Sequence, residues 1–243
     1  MEAKSALNKT GIPGFDYCLN PYIGCRHGCK YCYASFMKRF TGHMEEWGEF
    51  LDVRGNLPQI LEREIRRKKK GIVMVSSVTD PYQRAEETYG VTRRCLMALA
   101  KASWPVSILT KSPLVLRDID VLNYFKDIEV GITITTDSES MRRIIEPGAP
   151  PLAERRRAVR ELRAAGIPTY AFVGPILPIE DPQSFAAELG HIADKVLLDR
   201  MNYIGKVRSL YRRKNLTENL EPEYFEMIEN IFIKELGKKV EVL

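Results

Sequence analysis

The sequence predicts an α/β protein built on a parallel sheet. Short apolar, β-branched runs at Ile72–Ser76, Val106–Leu109, Val130–Ile134, Thr169–Val173 and Val196–Leu198 alternate with longer stretches of helical periodicity. Strands separated by helices need crossover connections, and crossovers make neighbouring strands parallel. With a further strand near Asp16–Asn20 the pattern amounts to six βα units, too few for a closed eight-stranded barrel. An open partial barrel and a doubly wound sheet both remain compatible with it. In each, functional groups collect beyond the C-terminal ends of the strands.

The helices carry their own signals. Leu57, Ile60, Leu61 and Ile65 form one apolar stripe, with Asn56 placed as its N-cap. A helix over Thr92–Lys101 sets Cys95 beside Leu96 and Leu99, where core packing is expected. Leu152, Val159 and Leu162 form another stripe, closed by Gly166 at the C-terminal cap. Asp181-Pro182 reads as a cap and first-turn proline leading into Phe185, Leu189 and Ile192. Phe225, Ile228, Ile231 and Phe232 mark a last amphipathic helix. No low-complexity linker or shift of composition divides the chain. A single domain over residues 1–243 is expected, with its core at about 15–200 and a tail and helix at 201–243.

Composition narrows the class. With 44% hydrophobic and 28% charged residues in 243, the chain suits a globular core. Met1–Gly14 is polar and punctuated by Gly and Pro, unlike a signal peptide. The longest apolar runs, such as Gly71–Val75, are strand-sized and cannot cross a bilayer. A cytoplasmic protein without a membrane partner is expected. The net charge of +5 is modest, but basic residues cluster at Arg63–Lys70, Arg155–Arg163 and Lys206–Lys214. These runs read either as solvated helix faces or as the footprint of a polyanion.

The five cysteines (18, 25, 29, 32 and 95) do not suit a disulfide framework, since the number is odd and three fall within eight residues. Those three lie in Asn20-Pro-Tyr-Ile-Gly-Cys25-Arg-His-Gly-Cys29-Lys-Tyr-Cys32-Tyr33. Spaced C-x3-C-x2-C in a glycine-bearing loop, they can wrap three corners of a cubane cluster. Ordinary clusters use four cysteines, so three leave one iron open to a ligand. The competing reading is a zinc site completed by His27 or His43. Zinc ligands usually come as two separated pairs, and no second pair follows.

This loop, with Tyr33 after its last cysteine, resembles the signature of the radical S-adenosylmethionine (SAM) superfamily. From about Tyr17 to Asp199 the wider pattern is similar to the spore photoproduct lyase-like branch. Its other marks are Ser76-Ser-Val-Thr-Asp-Pro-Tyr-Gln83, Leu109-Thr-Lys-Ser112, Glu146-Pro-Gly148 and Ala165-Gly-Ile-Pro168 leading to Val173-Gly-Pro-Ile176. The resemblance implies a single-domain partial (βα)6 barrel of the TIM type. It also implies a [4Fe–4S] cluster on Cys25, Cys29 and Cys32, with SAM as second cofactor and a flavodoxin or ferredoxin as one-electron donor. The chemistry implied is reductive cleavage of SAM to a 5′-deoxyadenosyl radical that takes hydrogen from a substrate.

Carried over by motif, Tyr33, Thr79, Lys111 and Gly174 are expected to contact SAM, and Asp80 and Thr135 lie beside them just past strand ends. Lys111 would neutralise the SAM carboxylate, and Gly174 would let backbone approach the adenine. Where the lyase has its hydrogen-donating cysteine this chain has Ser77, and a hydroxyl is a poor donor to a carbon radical. The catalytic expectation therefore falls on Cys18 as hydrogen donor and on the retained tyrosine, Tyr31. No cysteine follows Cys95, so no second cluster is expected.

Two substrate classes stay open. A nucleic acid would meet Arg208, Arg212, Arg213 and Lys214 after Asn202-Tyr203, whereas the arginines of the Leu152–Ala165 helix are expected to face solvent. A small metabolite or peptide would leave all these runs merely solvated.

Overall fold

The computed structural model describes residues 2–243. An eight-stranded sheet runs β1 (Asn8–Lys9), β2 (Tyr17–Leu19), β3 (Val73–Val75), β4 (Val106–Thr110), β5 (Ile128–Thr133), β6 (Thr169–Val173), β7 (Lys195–Leu198) and β8 (Val240–Val242), paired in that order. β1 pairs antiparallel with β2, and every other pairing is parallel. The six strands β2–β7 are those expected from the sequence. The edge strands β1 and β8 are only two and three residues long, Asn-Lys and Val-Glu-Val, and it is their pairing partners that define them as strands.

Alternation along each strand sorts the side chains. Val73, Val75, Val106, Ile108, Val130, Ile132, Ala171, Val173, Val196 and Leu198 are fully buried beneath the helices. The register Cys18–Met74–Ser107–Glu129 and Leu109–Gly131–Tyr170–Lys195 defines the opposite, inner face. There a Cβ on Gly131 would fall 2.1 Å from the Tyr170 ring, so one large side chain serves two positions.

The main helices are α1 (Leu57–Glu64), α2 (Val91–Lys101), α3 (Glu139–Ile145), α4 (Leu152–Ala164), α5 (Pro182–Ile192), α6 (Ile204–Arg213) and α7 (Pro222–Leu236). Gly166 closes α4 at φ +78°, and the Asp181 carboxylate accepts from Ser184 N at 3.1 Å to cap α5. α7 packs on α5 through an edge-to-face contact of Phe185 and Phe232, 5.9 Å between centroids. Cys95 is buried in α2 among Leu96 and Leu99.

The expected Asn56 cap is not made. Its backbone is already helical, and its side chain instead exchanges two hydrogen bonds with the Ala3 backbone, at 2.9 and 3.1 Å. The residue ties the N-terminal segment to the helix start. Among the described residues no helix is long and apolar enough to cross a membrane.

Candidate active site at the C-terminal ends of the strands

The loop after β2 carries the three clustered cysteines. Cys25 and Cys29 are buried, Cys32 is partly so, and none is paired in a disulfide. Gly24 and Gly28 take φ of +86° and +58°, and a Cβ on Gly24 would fall 2.6 Å from Phe50 O. Cys25 O accepts from Gly28 N and Cys29 O from Cys32 N, winding the loop into successive turns.

Neighbouring strand ends clamp this loop from two sides. After β3, Thr79 Oγ1 donates to Gly24 O at 2.6 Å, and Gln83 Oε1 accepts from Arg26 N at 3.0 Å. From the segment after α3, Gly148 N donates to His27 O at 2.9 Å, and Ile145 O accepts from Lys30 N at 2.8 Å. A Cβ on Gly148 would sit 2.2 Å from Arg26 O, so only glycine permits this approach.

Burial pushes the Cys25 thiol well up, Cys29 up to about 12 and Cys32 upward. Without a cation the three would stay neutral; as thiolates they need a metal to balance their charge. Soft donors, unpaired and close in sequence, suit an iron–sulfur cluster. The zinc alternative finds little support in its proposed fourth ligands. His27 Nδ1 lies 3.4 Å from Asp80 Oδ2, while His43 stacks on Phe50 and contacts Glu45 and Asp52. Among the described residues no three His, Cys, Asp or Glu side chains, the loop cysteines included, are gathered closely enough to hold one metal ion.

Behind the loop stands a buried charge network. Glu146 is fully buried and accepts hydrogen bonds from Tyr31 and from Thr135 Oγ1, the latter at 3.2 Å. Its other oxygen meets Arg155 Nη2 at 2.6 Å, and Lys111 Nζ lies 3.7 Å from Oε1. Burial alone would raise the Glu146 carboxyl, but Arg155 and Lys111 outweigh it and hold the group at about 2. Burial pulls Lys111 down, yet Glu146 and Cys29 more than compensate, and its pKa is raised. The ammonium therefore stays charged.

Arg155 corrects an expectation, because it does not face solvent with the rest of its helix. It is wholly buried, donating to Pro150 O at 2.9 Å and Thr133 O at 3.2 Å besides pairing with Glu146. Its neighbours Arg156, Arg157 and Arg163 do form surface pairs, with Glu188, with Glu154 and Glu161, and with Asp194. Composition missed Glu146 and Arg155 as site residues. The signal was Glu146-Pro-Gly148, read as a mark without a role.

The remaining candidates fall into three groups. Asp80 accepts from Tyr82 N, Thr110 Oγ1 and Lys111 N at 2.7–2.9 Å, so it braces the ends of β3 and β4. The Thr79 hydroxyl, engaged by Gly24 O, also accepts from Gln83 Nε2 at 2.9 Å. Gly174 precedes a cis Pro175, and a Cβ there would meet the Phe172 ring at 2.1 Å. Cys18 and Tyr31 stand in different surroundings. Tyr31 is buried beside Cys29 and Glu146, which with burial push its phenol well up. Cys18 neighbours Tyr33, whose phenol burial and the nearby Cys32 and Cys18 raise to about 12.

A parallel α/β sheet with clustered free thiols and a buried lysine at its strand ends defines a cofactor-dependent enzyme fold. The family model of the Radical SAM superfamily matches residues 19–189, and the chain belongs to that family. It is 36% identical over 231 residues to an uncharacterized protein of Methanocaldococcus jannaschii, covering 95% of this chain and 86% of that one. It is 32% identical over 186 residues to an uncharacterized protein of Mycobacterium tuberculosis, covering 72% of this chain and 54% of that one. The fold is similar to that of spore photoproduct lyase complexed with dinucleoside spore photoproduct, at a TM-score of 0.71 and 16% identity. That match covers 99% of this chain and 80% of the lyase chain. The partial barrel expected from the sequence is thus the observed fold, and the chain is a radical SAM enzyme.

Proposed function

We propose that Cys25, Cys29 and Cys32 hold a [4Fe–4S] cluster at which SAM is reductively cleaved, and that the reaction removes hydrogen from a nucleic-acid substrate. The observation that carries this reading is the clamped loop of three unpaired thiols at the strand ends. A cluster held by Cys25, Cys29 and Cys32 would supply the reductive cleavage of SAM and so the hydrogen-abstracting chemistry.

The chain's own residues bind and orient. Lys111 keeps its charge and meets Glu146 only at 3.7 Å, which leaves donors for the SAM carboxylate. Tyr33 follows the last cysteine, and Gly174 presents backbone without a side chain; both are assigned to SAM. Thr79, Asp80 and Thr135 act through what they hold: the first the cysteine loop, the second the Lys111 backbone, the third Glu146. Cys18, the thiol beside Tyr33, is assigned as hydrogen donor, with Tyr31 retained near the cluster. A flavodoxin or ferredoxin supplies the electron. Arg208, Arg212 and Arg213 on α6 make no ion pair among the described residues, and this favours a polyanionic substrate.

Anaerobic reconstitution with iron, sulfide, SAM and dithionite tests the reading. About four irons per chain and formation of 5′-deoxyadenosine are expected, as for one cubane. Stoichiometric zinc without iron would overturn it.

A further inference from the structure

The segment directly after Cys32, Tyr33–Phe40, is a run of 3-10 turns that turns its large rings outward. Tyr33 and Phe36 are each 40% exposed and Phe40 is 64% exposed, although such side chains are ordinarily buried. They are not scattered. Phe40 and Phe36 lie 6.3 Å apart, Phe36 and Tyr33 6.5 Å, and Tyr33 stacks on Tyr203 at 5.8 Å and 19°. Tyr203 is itself 50% exposed and stands at the start of α6. Four exposed rings therefore form one file past the last cluster cysteine.

Cations accompany the file. The Arg39 guanidinium lies 5.4 Å from the Phe36 ring and 4.8 Å from Phe40, with no acidic partner among the described residues. Lys206 Nζ donates to Ser35 Oγ at 2.6 Å, tying α6 to the segment. Along α6, Arg208 and Arg212 line one cavity of about 500 Å³. Of the acids nearby, Glu46 lies 3.7 Å from Lys38 and Glu45 contacts His43 at 3.2 Å, while Glu221 lines the α6 cavity without pairing to either arginine. Arg39 and the α6 arginines make no ion pair among the described residues.

We propose that this file is a stacking track for single-stranded nucleic acid, leading it past the cluster. The assignment rests on the nucleic-acid reading above and names where the strand lies. Exposed π-faces suit bases of any sequence, and unpaired guanidinium groups beside them suit phosphates. An apolar protein surface would leave unmet the cations beside the rings, Arg39 over two of them and Arg208 and Arg212 along α6, which a phosphate backbone answers.

Fluorescence anisotropy of the cluster-loaded protein tests the track, using short labelled DNA and RNA single strands of one sequence and the matching DNA duplex. Single strands should bind more tightly than the duplex, and the tighter of the DNA and RNA arms identifies the source. Replacing Phe36→Leu and Phe40→Leu together keeps apolar bulk but removes the π-faces. It should weaken single-strand binding roughly tenfold or more with the salt slope unchanged. Arg39→Ala should lower that slope by about 0.7. Iron content and thermal melting of each variant check that the fold is kept. The track is overturned by leucine variants that bind like the parent, by equal affinity for duplex and single strand, or by no binding at low salt. Formation of 5′-deoxyadenosine in the same preparation separates the outcomes. If it forms without oligonucleotide binding, the track and the substrate class fail and the cofactor chemistry stands. If neither iron nor 5′-deoxyadenosine is found, the cofactor reading fails whatever the oligonucleotides do.

Discussion

Glu146 gathers Tyr31, Thr135, Arg155 and Lys111 behind the strand ends, and its removal has a calculable consequence. Glu146→Gln would leave Arg155 buried without its counter-charge and Lys111 without its neighbour. Breaking a buried pair from one side costs about 3–5 kcal/mol, which chemical unfolding should register. The sign of its pH dependence follows from the depressed carboxyl. Its contribution is fully present above the unfolded value of 4.5 and is lost as pH falls toward about 2. The gap between parent and variant should thus be flat from neutrality to about pH 5 and close only below that. A gap that grew on acidification would show that the carboxyl is not held ionised. The cysteines separate as cleanly. Cys25→Ala, Cys29→Ala and Cys32→Ala should each abolish iron binding, whereas Cys95→Ala, a change within the α2 core, should retain it. Iron analysis of the four anaerobic variants decides this, and retained iron in a loop variant would displace that ligand. Of these residues the cysteines were legible in sequence, because their spacing is local. Glu146 and Arg155 were not: carboxylates and arginines are usually solvated, and the pairing that buries these two closes only in the fold.

At the scale of elements, Gly148 joins two pieces of chain that are distant in sequence. Its missing side chain lets the segment after α3 lie against Arg26 O, and its N–H secures His27 O. Gly148→Ala would place a methyl 2.2 Å from a backbone oxygen, so one of the two segments must move. Overpacking of this kind costs typically 1–3 kcal/mol. Because one of the two partners is the cysteine loop, iron retention during anaerobic gel filtration should fall more than global stability does. Undiminished retention would show that the loop holds its shape without this clamp. The strands β3–β7 were legible from apolar runs that include β-branched residues, whereas β2, Tyr-Cys-Leu, has none; the sites just beyond the strand ends followed from topology. β1 and β8 escaped notice since two or three residues are too few to carry a periodic signal. Asn56 had the right residue type for a cap and made a different bond, because Ala3 offered its side chain a partner in the tertiary fold.

At the scale of the whole molecule, the net charge of +5 understates how unevenly charge is placed. On α4, Arg156, Arg157 and Arg163 are matched by Glu188, by Glu154 and Glu161, and by Asp194, and only the exposed Arg160 lacks an ion pair among the described residues. On α6, Arg208, Arg212 and Arg213 make no ion pair among the described residues, although Glu221 lines the cavity with the first two. Arg208 and Arg212, one helical turn apart, line the same cavity, and Lys206 holds the helix to the segment after the cluster. The sequence showed three basic runs of similar weight; only the fold separates a compensated run from an uncompensated one. If the uncompensated helix meets phosphate, the observed binding constant for single strands must fall linearly with salt on logarithmic axes. Replacing Arg208 and Arg212 together by Gln should flatten that line by about 1.4 units, at about 0.7 per lost single-strand contact. Replacing Arg157 and Arg163 on α4 should leave it unchanged, since their charge is already met by acids of the same molecule. Salt titrations of the two double variants compare helices of like composition and unlike surroundings. Equal slopes would assign binding to net charge alone, and a flattened slope only for the α6 variant would assign it to that helix.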